Sequence, residues 1–170
     1  MAASFDYLKA LVIEDNAHMR TLLRSLLHAL GIKTVLEAAD GGAGYIELRE
    51  KRPDFVLADL SMKPVDGIEF TRMVRTAQDS PNPYVPIVMV TGHTERHRVE
   101  AARDAGITEF LAKPITAQNL FLRVAELVER PRAFVRSDTY FGPDRRRHKS
   151  ADYPGPFRRK DDFKDDIEIQ

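Results

Sequence analysis

Short apolar runs alternate along the chain with longer segments of helical spacing, up to about residue 130. The runs are ALVI (10–13), KTVLEA (33–38), DFVLAD (54–59), PIVMVT (86–91) and ITEFLA (107–112). None keeps a strict in-out alternation, which is how strands read when both of their faces are covered. Between the first two runs, Met19, Leu22, Leu23, Leu26, Leu27 and Leu30 fall on one helical face, and Gly31 stops the pattern. Leu120, Val124, Leu127 and Val128 repeat it before Pro131. Helices also fit 42–51, 67–78 and 95–105.

This strand-helix alternation predicts a parallel sheet, because parallel strands need crossovers, and right-handed crossovers place helices on both faces. The expected fold is α/β: a flavodoxin-like, doubly wound (βα)5 domain over residues 1–130, with strand order 2-1-3-4-5. Residues 131–170 are left as an arm that is not expected to fold independently. A chain of 170 residues, 43% hydrophobic, has room for one such domain and its core. The absence of cysteine excludes a disulfide framework, a thiolate metal site and a cysteine nucleophile. The opening MAASFDYLKA lacks a basic n-region and a long apolar stretch, and no apolar run approaches the length of a bilayer span. A cytoplasmic protein without membrane insertion is expected.

Open sheets of this kind bind ligands beyond the carboxyl ends of their strands, where the strand order switches. The first run ends there at Glu14 and Asp15, the third at Asp59, the fourth at Thr91, and the fifth at Lys113 with Pro114 behind it. Adjacent carboxylates repel, and partial burial would force a proton onto one of them. A solvated loop or a helix cap would account for Glu14 and Asp15 alone. Convergence with Asp59 favours a hard divalent cation with oxygen ligands.

The segments VIEDN, VLADLSMKPVDGIEF, IVMVTGH and FLAKPI, in this order, resemble the receiver domain of two-component response regulators. That resemblance covers roughly the first 130 residues. It implies that Asp59 accepts a phosphoryl group and that Glu14, Asp15, Asp59 and the Ser61 carbonyl hold Mg2+. It implies further that Lys113 pairs with the phosphoryl oxygens, that Thr91 contacts them after transfer, and that Phe110 then turns inward. Ser61 and His93 occupy places that modulate the phosphate's lifetime in this family. The implied partners are a histidine kinase or histidine phosphotransfer protein upstream and a protein target downstream, such as the flagellar motor. Target binding or homodimerisation would use the face made by the helix at 95–105, the strand at 107–112 and the last helix. A signalling protein rather than an enzyme is expected, the alternative being a pseudo-receiver that acts only through its tail. Phosphatases of the haloacid-dehalogenase type fit poorly, because IEDN lacks their second Asp two residues beyond the first. One departure from the family pattern is Lys63 in place of a proline, with Pro64 one position later. His18, His28, His97 and His148 have no convergent partners in the sequence.

The arm repeats itself: YFGPDRRR at 140–147 and YPGPFRRK at 153–160 share Tyr-x-Gly-Pro-x-Arg-Arg, followed by an acidic DDFKDDIEIQ. Its charge, prolines and glycines suit a solvated tail. The repeated pairing of aromatic and arginine suits a planar anion, since guanidinium pairs with phosphate and grips the O6 and N7 edge of guanine. The arm resembles the arginine-rich extensions of single-domain, chemotaxis-like regulators that bind cyclic di-GMP. That resemblance implies a dinucleotide site of Tyr140, Arg145, Arg146, Arg147, Tyr153, Arg158 and Arg159, against the alternatives of a protein-docking arm or general RNA affinity. No helix-turn-helix is legible after Pro131, so no DNA-binding domain is expected.

Overall fold

The computed structural model describes residues 4–92 and 98–145, together with the backbone of 166–168. Five strands, β1 (Lys9–Ile13), β2 (Thr34–Ala38), β3 (Phe55–Asp59), β4 (Ile87–Thr91) and β5 (Glu109–Ala112), pair in parallel in the order β2-β1-β3-β4-β5. They alternate with α1 (Ala17–Ala29), α2 (Gly41–Lys51), α3 (Gly67–Thr76), α4 (Val99–Ala105) and α5 (Ala117–Glu129). This is the flavodoxin-like order expected from the sequence.

Helix starts are set locally. Side chains of Asn16, Asp40, Asp66 and Thr116 accept hydrogen bonds from the first backbone N–H groups of α1, α2, α3 and α5, which have no partner within the helix. Two helices differ from expectation. α3 stops at Thr76 because Ala77 is extended (φ −67°, ψ 136°), and α4 begins at Val99, the residues 93–97 before it lying outside those described.

The missing alternation in the strands has a simple cause: both faces are apolar. Leu11, Ile13, Val56, Ala58, Ile87 and Met89 point to one side and pack with Leu48, Phe70, Val74 and Ala102 of α2, α3 and α4. Ala10, Val12, Phe55, Leu57, Val88 and Val90 point to the other and pack with Leu23 and Leu27 of α1 and Leu120 and Val124 of α5.

Beyond Pro131 the chain returns to the fold. β6 (Phe134–Arg136) pairs antiparallel with β7 (Phe141–Pro143) and with β8 (Asp166–Glu168), in the order β7-β6-β8. The β6-β7 hairpin covers the amino ends of β4 and β5, opposite the strand ends singled out above. Phe134 and Phe141 meet Tyr84 edge-on at centroid distances of 5.0 and 5.4 Å. Beneath them Arg75, at the end of α3, lies 4.9 Å from the Phe134 ring and donates to the carbonyls of Gly106, Pro83 and Val85. Burial pushes Arg75 down to about 9, so it keeps its charge at neutral pH. The hairpin touches the α4-β5 turn so closely that a Cβ on Gly142 would lie 2.8 Å from the Gly106 Cα. Arg132 pairs with buried Glu109, and Arg145 with Asp104 at 3.1 Å.

Because Phe134 seals both the aromatic cluster and the Arg75 guanidinium, Phe134→Ala is expected to cost about 3 kcal/mol. Urea unfolding should show it as a lower midpoint at unchanged slope. A loss below about 1 kcal/mol would mean that the hairpin contributes little to the stability of the (βα)5 domain.

Candidate functional site

Sheet register brings the candidate residues to one edge. Ile13 is paired with Ala38 and Ala58, Asp59 with Val90, and Thr91 with Ala112, so the residues that end or follow β1, β3, β4 and β5 share a rim. Backbone bonds extend the ladder past the strand ends: Glu14 N–H donates to the Ala38 carbonyl, Leu60 N–H to Val90, and Lys113 N–H to Thr91.

Glu14, Asp15 and Asp59 offer carboxylate oxygens that all lie within 4.8 Å of one another. Glu14 and Asp59 are buried, whereas Asp15 is exposed. One Glu14 oxygen accepts from the Asn16 N–H at 3.0 Å, and the other is buried with no hydrogen-bond partner among the described residues. Burial is the main cause that pushes the Glu14 carboxyl up to about 7, and neighbouring Asp59 adds to it. Lys113 Nζ donates to Asp59 Oδ1 at 3.1 Å. An unpartnered buried carboxylate oxygen, with two further carboxylates beside it, fits a hard cation such as Mg2+.

The loop after β3 is held close to this cluster. A Cβ at Gly67 would collide with the Asp59 carbonyl, so glycine there lets α3 begin directly beneath the loop. The Lys63–Pro64 and Lys113–Pro114 peptides are both cis. Ser61 is exposed, and its Oγ accepts from Arg98 at 3.2 Å; the same guanidinium meets Asp66 at 2.5 Å. Thr91 is buried at the end of β4. Phe110 is half-buried on the core face shared with α4, with the Arg103 guanidinium 5.8 Å from its ring centre and its carbonyl bonded by Arg123. His93 lies outside the described residues.

Of the seven arm residues, two are described, and both serve the hairpin. Tyr140 donates to the Pro143 carbonyl at 2.9 Å, and the Arg145 guanidinium stacks 4.0 Å from its ring. A cavity of about 140 Å3 between α4, β5 and the hairpin is lined by Arg103, Glu109, Phe110, Arg132 and Arg145, among others. Arg146, Arg147, Tyr153, Arg158 and Arg159 lie outside the described residues. The sequence reading missed Arg98 altogether: it belongs to no motif, and only the folded chain brings it to Ser61.

Residues 10–125 match the family described as the response regulator receiver domain. The chain belongs to this family. Among its relatives, the chemotaxis protein CheY of Pseudomonas aeruginosa is 32% identical over 123 residues, spanning 72% of this chain and 98% of that protein. CheY-3 of Vibrio cholerae is 30% identical over 123 residues, spanning 72% and 93%. Among solved structures, a response regulator from Chloroflexus aurantiacus superposes with a TM-score of 0.66 at 27% identity, covering 72% of this chain and 98% of that one. The receiver domain of a sensor histidine kinase from P. aeruginosa PAO1 gives 0.65 at 28% identity, covering 75% and 99%, and has a magnesium ion coordinated in its active-site cleft. The family match ends within α5, so the hairpin is an addition to the receiver. No helix among the described residues is long and apolar enough to cross a membrane.

The raised Glu14 group has a definite sign. Its folded value of about 7 exceeds the ordinary 4.5, so its contribution to metal-free stability is full below 4.5 and is lost as pH rises through 7. Mg2+ needs the ionised form, so binding at pH 6 should release about one proton and binding at pH 8 almost none. Calorimetry in buffers of different ionisation enthalpy reads this directly. Equal proton release at the two pH values would show that Glu14 is already ionised in the free receiver.

Proposed function

We propose that this receiver is a Mg2+-dependent phosphoacceptor whose nucleophile is Asp59. The observation that carries the reading is the contact between buried Asp59 and Lys113 at 3.1 Å, on the rim that also holds Glu14 and Asp15. An Asp59 carboxylate oxygen attacks the phosphorus of a phosphohistidine; the P–N bond breaks, and its electron pair returns to the imidazole. The product is an acyl phosphate on Asp59. Glu14, Asp15 and Asp59, with the Ser61 carbonyl, would hold Mg2+, which when bound neutralises carboxylate and phosphoryl charge. The Lys113 ammonium balances negative charge on the transferred group, in a reaction that needs positioning and charge more than covalent help.

After transfer, Asp59 carries new acceptor oxygens, to which the Thr91 hydroxyl at the end of the neighbouring strand donates. Movement of Thr91 opens room for Phe110, which has no hydroxyl and responds through packing alone. The readout surface is then the face of α4, β5 and α5, for a protein target or a second copy of the chain. The chain itself carries the phosphoryl group, so it acts as a signal carrier rather than as an enzyme. Its donor is a histidine kinase or histidine phosphotransfer protein, and chemotaxis relatives favour a target at the flagellar motor. Beryllofluoride, a phosphoryl mimic, is expected to bind with Mg2+ and to be lost in Asp59→Asn, as followed by fluorine NMR. Binding without Mg2+, or retention in the variant, would return the protein to the pseudo-receiver reading.

The repeated Tyr-x-Gly-Pro-x-Arg-Arg unit favours a second ligand, cyclic di-GMP, with one arginine fork for each guanine or phosphate. Charge-assisted contacts contribute about 1.5 to 3 kcal/mol each. Replacing Arg146 and Arg147 together by Ala should therefore weaken binding roughly a hundredfold or more by calorimetry. Equal affinity for cyclic di-AMP would reduce the arm to a general polyanion binder.

A further inference from the structure

Arg20 stands one turn into α1, where its own N–H donates to the Asn16 carbonyl. Its guanidinium reaches back to the rim. Nη1 donates to the Glu14 carbonyl oxygen at 2.7 Å, while Nε lies 3.6 Å from a carboxylate oxygen of Glu37 on β2. The other Glu37 oxygen accepts from Arg24 at 3.1 Å, so two arginines four apart on one helix face grip the same carboxylate. The Arg20 side chain is about a quarter exposed, and its contacts are partly shielded from water.

The Glu14 carbonyl belongs to the peptide that joins the two adjacent carboxylate residues. That peptide is planar, so fixing its carbonyl also fixes the Asp15 N–H and the direction in which the chain enters Asp15. Asp15 is exposed, and the backbone that carries it decides where its carboxylate stands. Glu14 is held on three sides: its N–H donates to Ala38, one carboxylate oxygen accepts from the Asn16 N–H, and its carbonyl accepts from Arg20. Of these three contacts, only the last comes from a side chain. A forked donor serves the Glu14 carbonyl and Glu37 together, whereas an ammonium is a single point of charge.

A small divalent ion with strict geometry gains most from oxygens that are placed before it arrives. We propose that Arg20 is a positioning residue that sets the Mg2+ affinity of the rim by fixing the Glu14–Asp15 peptide. The inference rests on the reading of Glu14, Asp15 and Asp59 as the metal site of a phosphoacceptor. By charge alone, a guanidinium beside a cation site weakens binding, and the neighbouring Glu37 carboxylate strengthens it. Positioning reverses the sign for Arg20 and leaves it unchanged for Glu37.

Calorimetry at pH 8 reads the Mg2+ affinity of the full chain in wild type, Arg20→Ala, Arg20→Lys, Glu37→Ala and the Arg20→Ala/Glu37→Ala double variant. Arg20→Ala and Glu37→Ala are each expected to bind Mg2+ about threefold more weakly or worse. The double variant should bind no more weakly than the weaker single, since both act through one fork. Arg20→Lys keeps the charge without the fork, and should fall short of wild type by about twofold or more. With a small-molecule phosphodonor, Arg20→Ala should need about threefold more Mg2+ for half-maximal phosphorylation, yet keep its rate at saturating Mg2+ within about twofold, because Asp59 and Lys113 are untouched. A merely structural role would lower the saturated rate as well. Wild-type or tighter Mg2+ binding in Arg20→Ala, wild-type binding in Arg20→Lys, or a saturated rate that falls with the affinity would each overturn the proposal. If the wild-type chain binds no Mg2+, the phosphoacceptor reading itself fails. A wild type that binds Mg2+ and is indifferent to Arg20 removes only this inference.

Discussion

Carboxylates crowded at one strand rim repel each other, and much of the surrounding structure is arranged to hold them there. At 4.8 Å, two ionised carboxylates such as Glu14 and Asp59 oppose each other by about 3 kcal/mol at an effective dielectric of about 20. Burial adds to this, as the raised Glu14 group shows. Lys113 offsets part of the repulsion directly, and the rest leaves a place for a divalent cation. The sheet supplies the rigidity. Strands apolar on both faces, packed between two helix layers, cannot shift by one residue without turning their rim groups inward. The same repulsion that destabilises the metal-free site makes it receptive to positive charge and to the chemistry that charge permits.

The opposite end of the sheet is closed by the hairpin. It places Phe134 and Phe141 against Tyr84 and closes over Arg75. A buried arginine is costly unless its donors are met. Here three carbonyls and an aromatic face meet most of them, so Arg75 draws the α3-β4 loop, the α4-β5 turn and the hairpin into one packed unit. The hairpin depends on the receiver for its core, in keeping with its short strands.

What the sequence could reveal follows from the range of the interactions involved. Strands with two apolar faces and helix stops such as Gly31 are encoded within a few residues, and so were legible. Glu14, Asp15, Asp59, Thr91 and Lys113 were legible as a group because each stands at a strand end, and a parallel sheet aligns strand ends. Phe134 and Phe141 lie in a charged, Pro- and Gly-rich stretch whose composition reads as solvated; their partners Tyr84 and Arg75 are some fifty residues upstream. Arg98 is hidden for the same reason: its partners Ser61 and Asp66 sit in a different loop, and nothing local distinguishes it from any other surface arginine.

Helix α4 has only seven residues and is held at both ends. At its start Arg98 grips the loop beside Asp59; at its end Arg145 binds Asp104 and the Arg103 carbonyl, while Gly142 presses on Gly106. Such a helix behaves as a short strut, about 10 Å long, between the chemical end of the sheet and the added hairpin. Any free energy by which the acceptor loop biases the hairpin through this strut is matched by an equal bias from the hairpin back onto the acceptor loop.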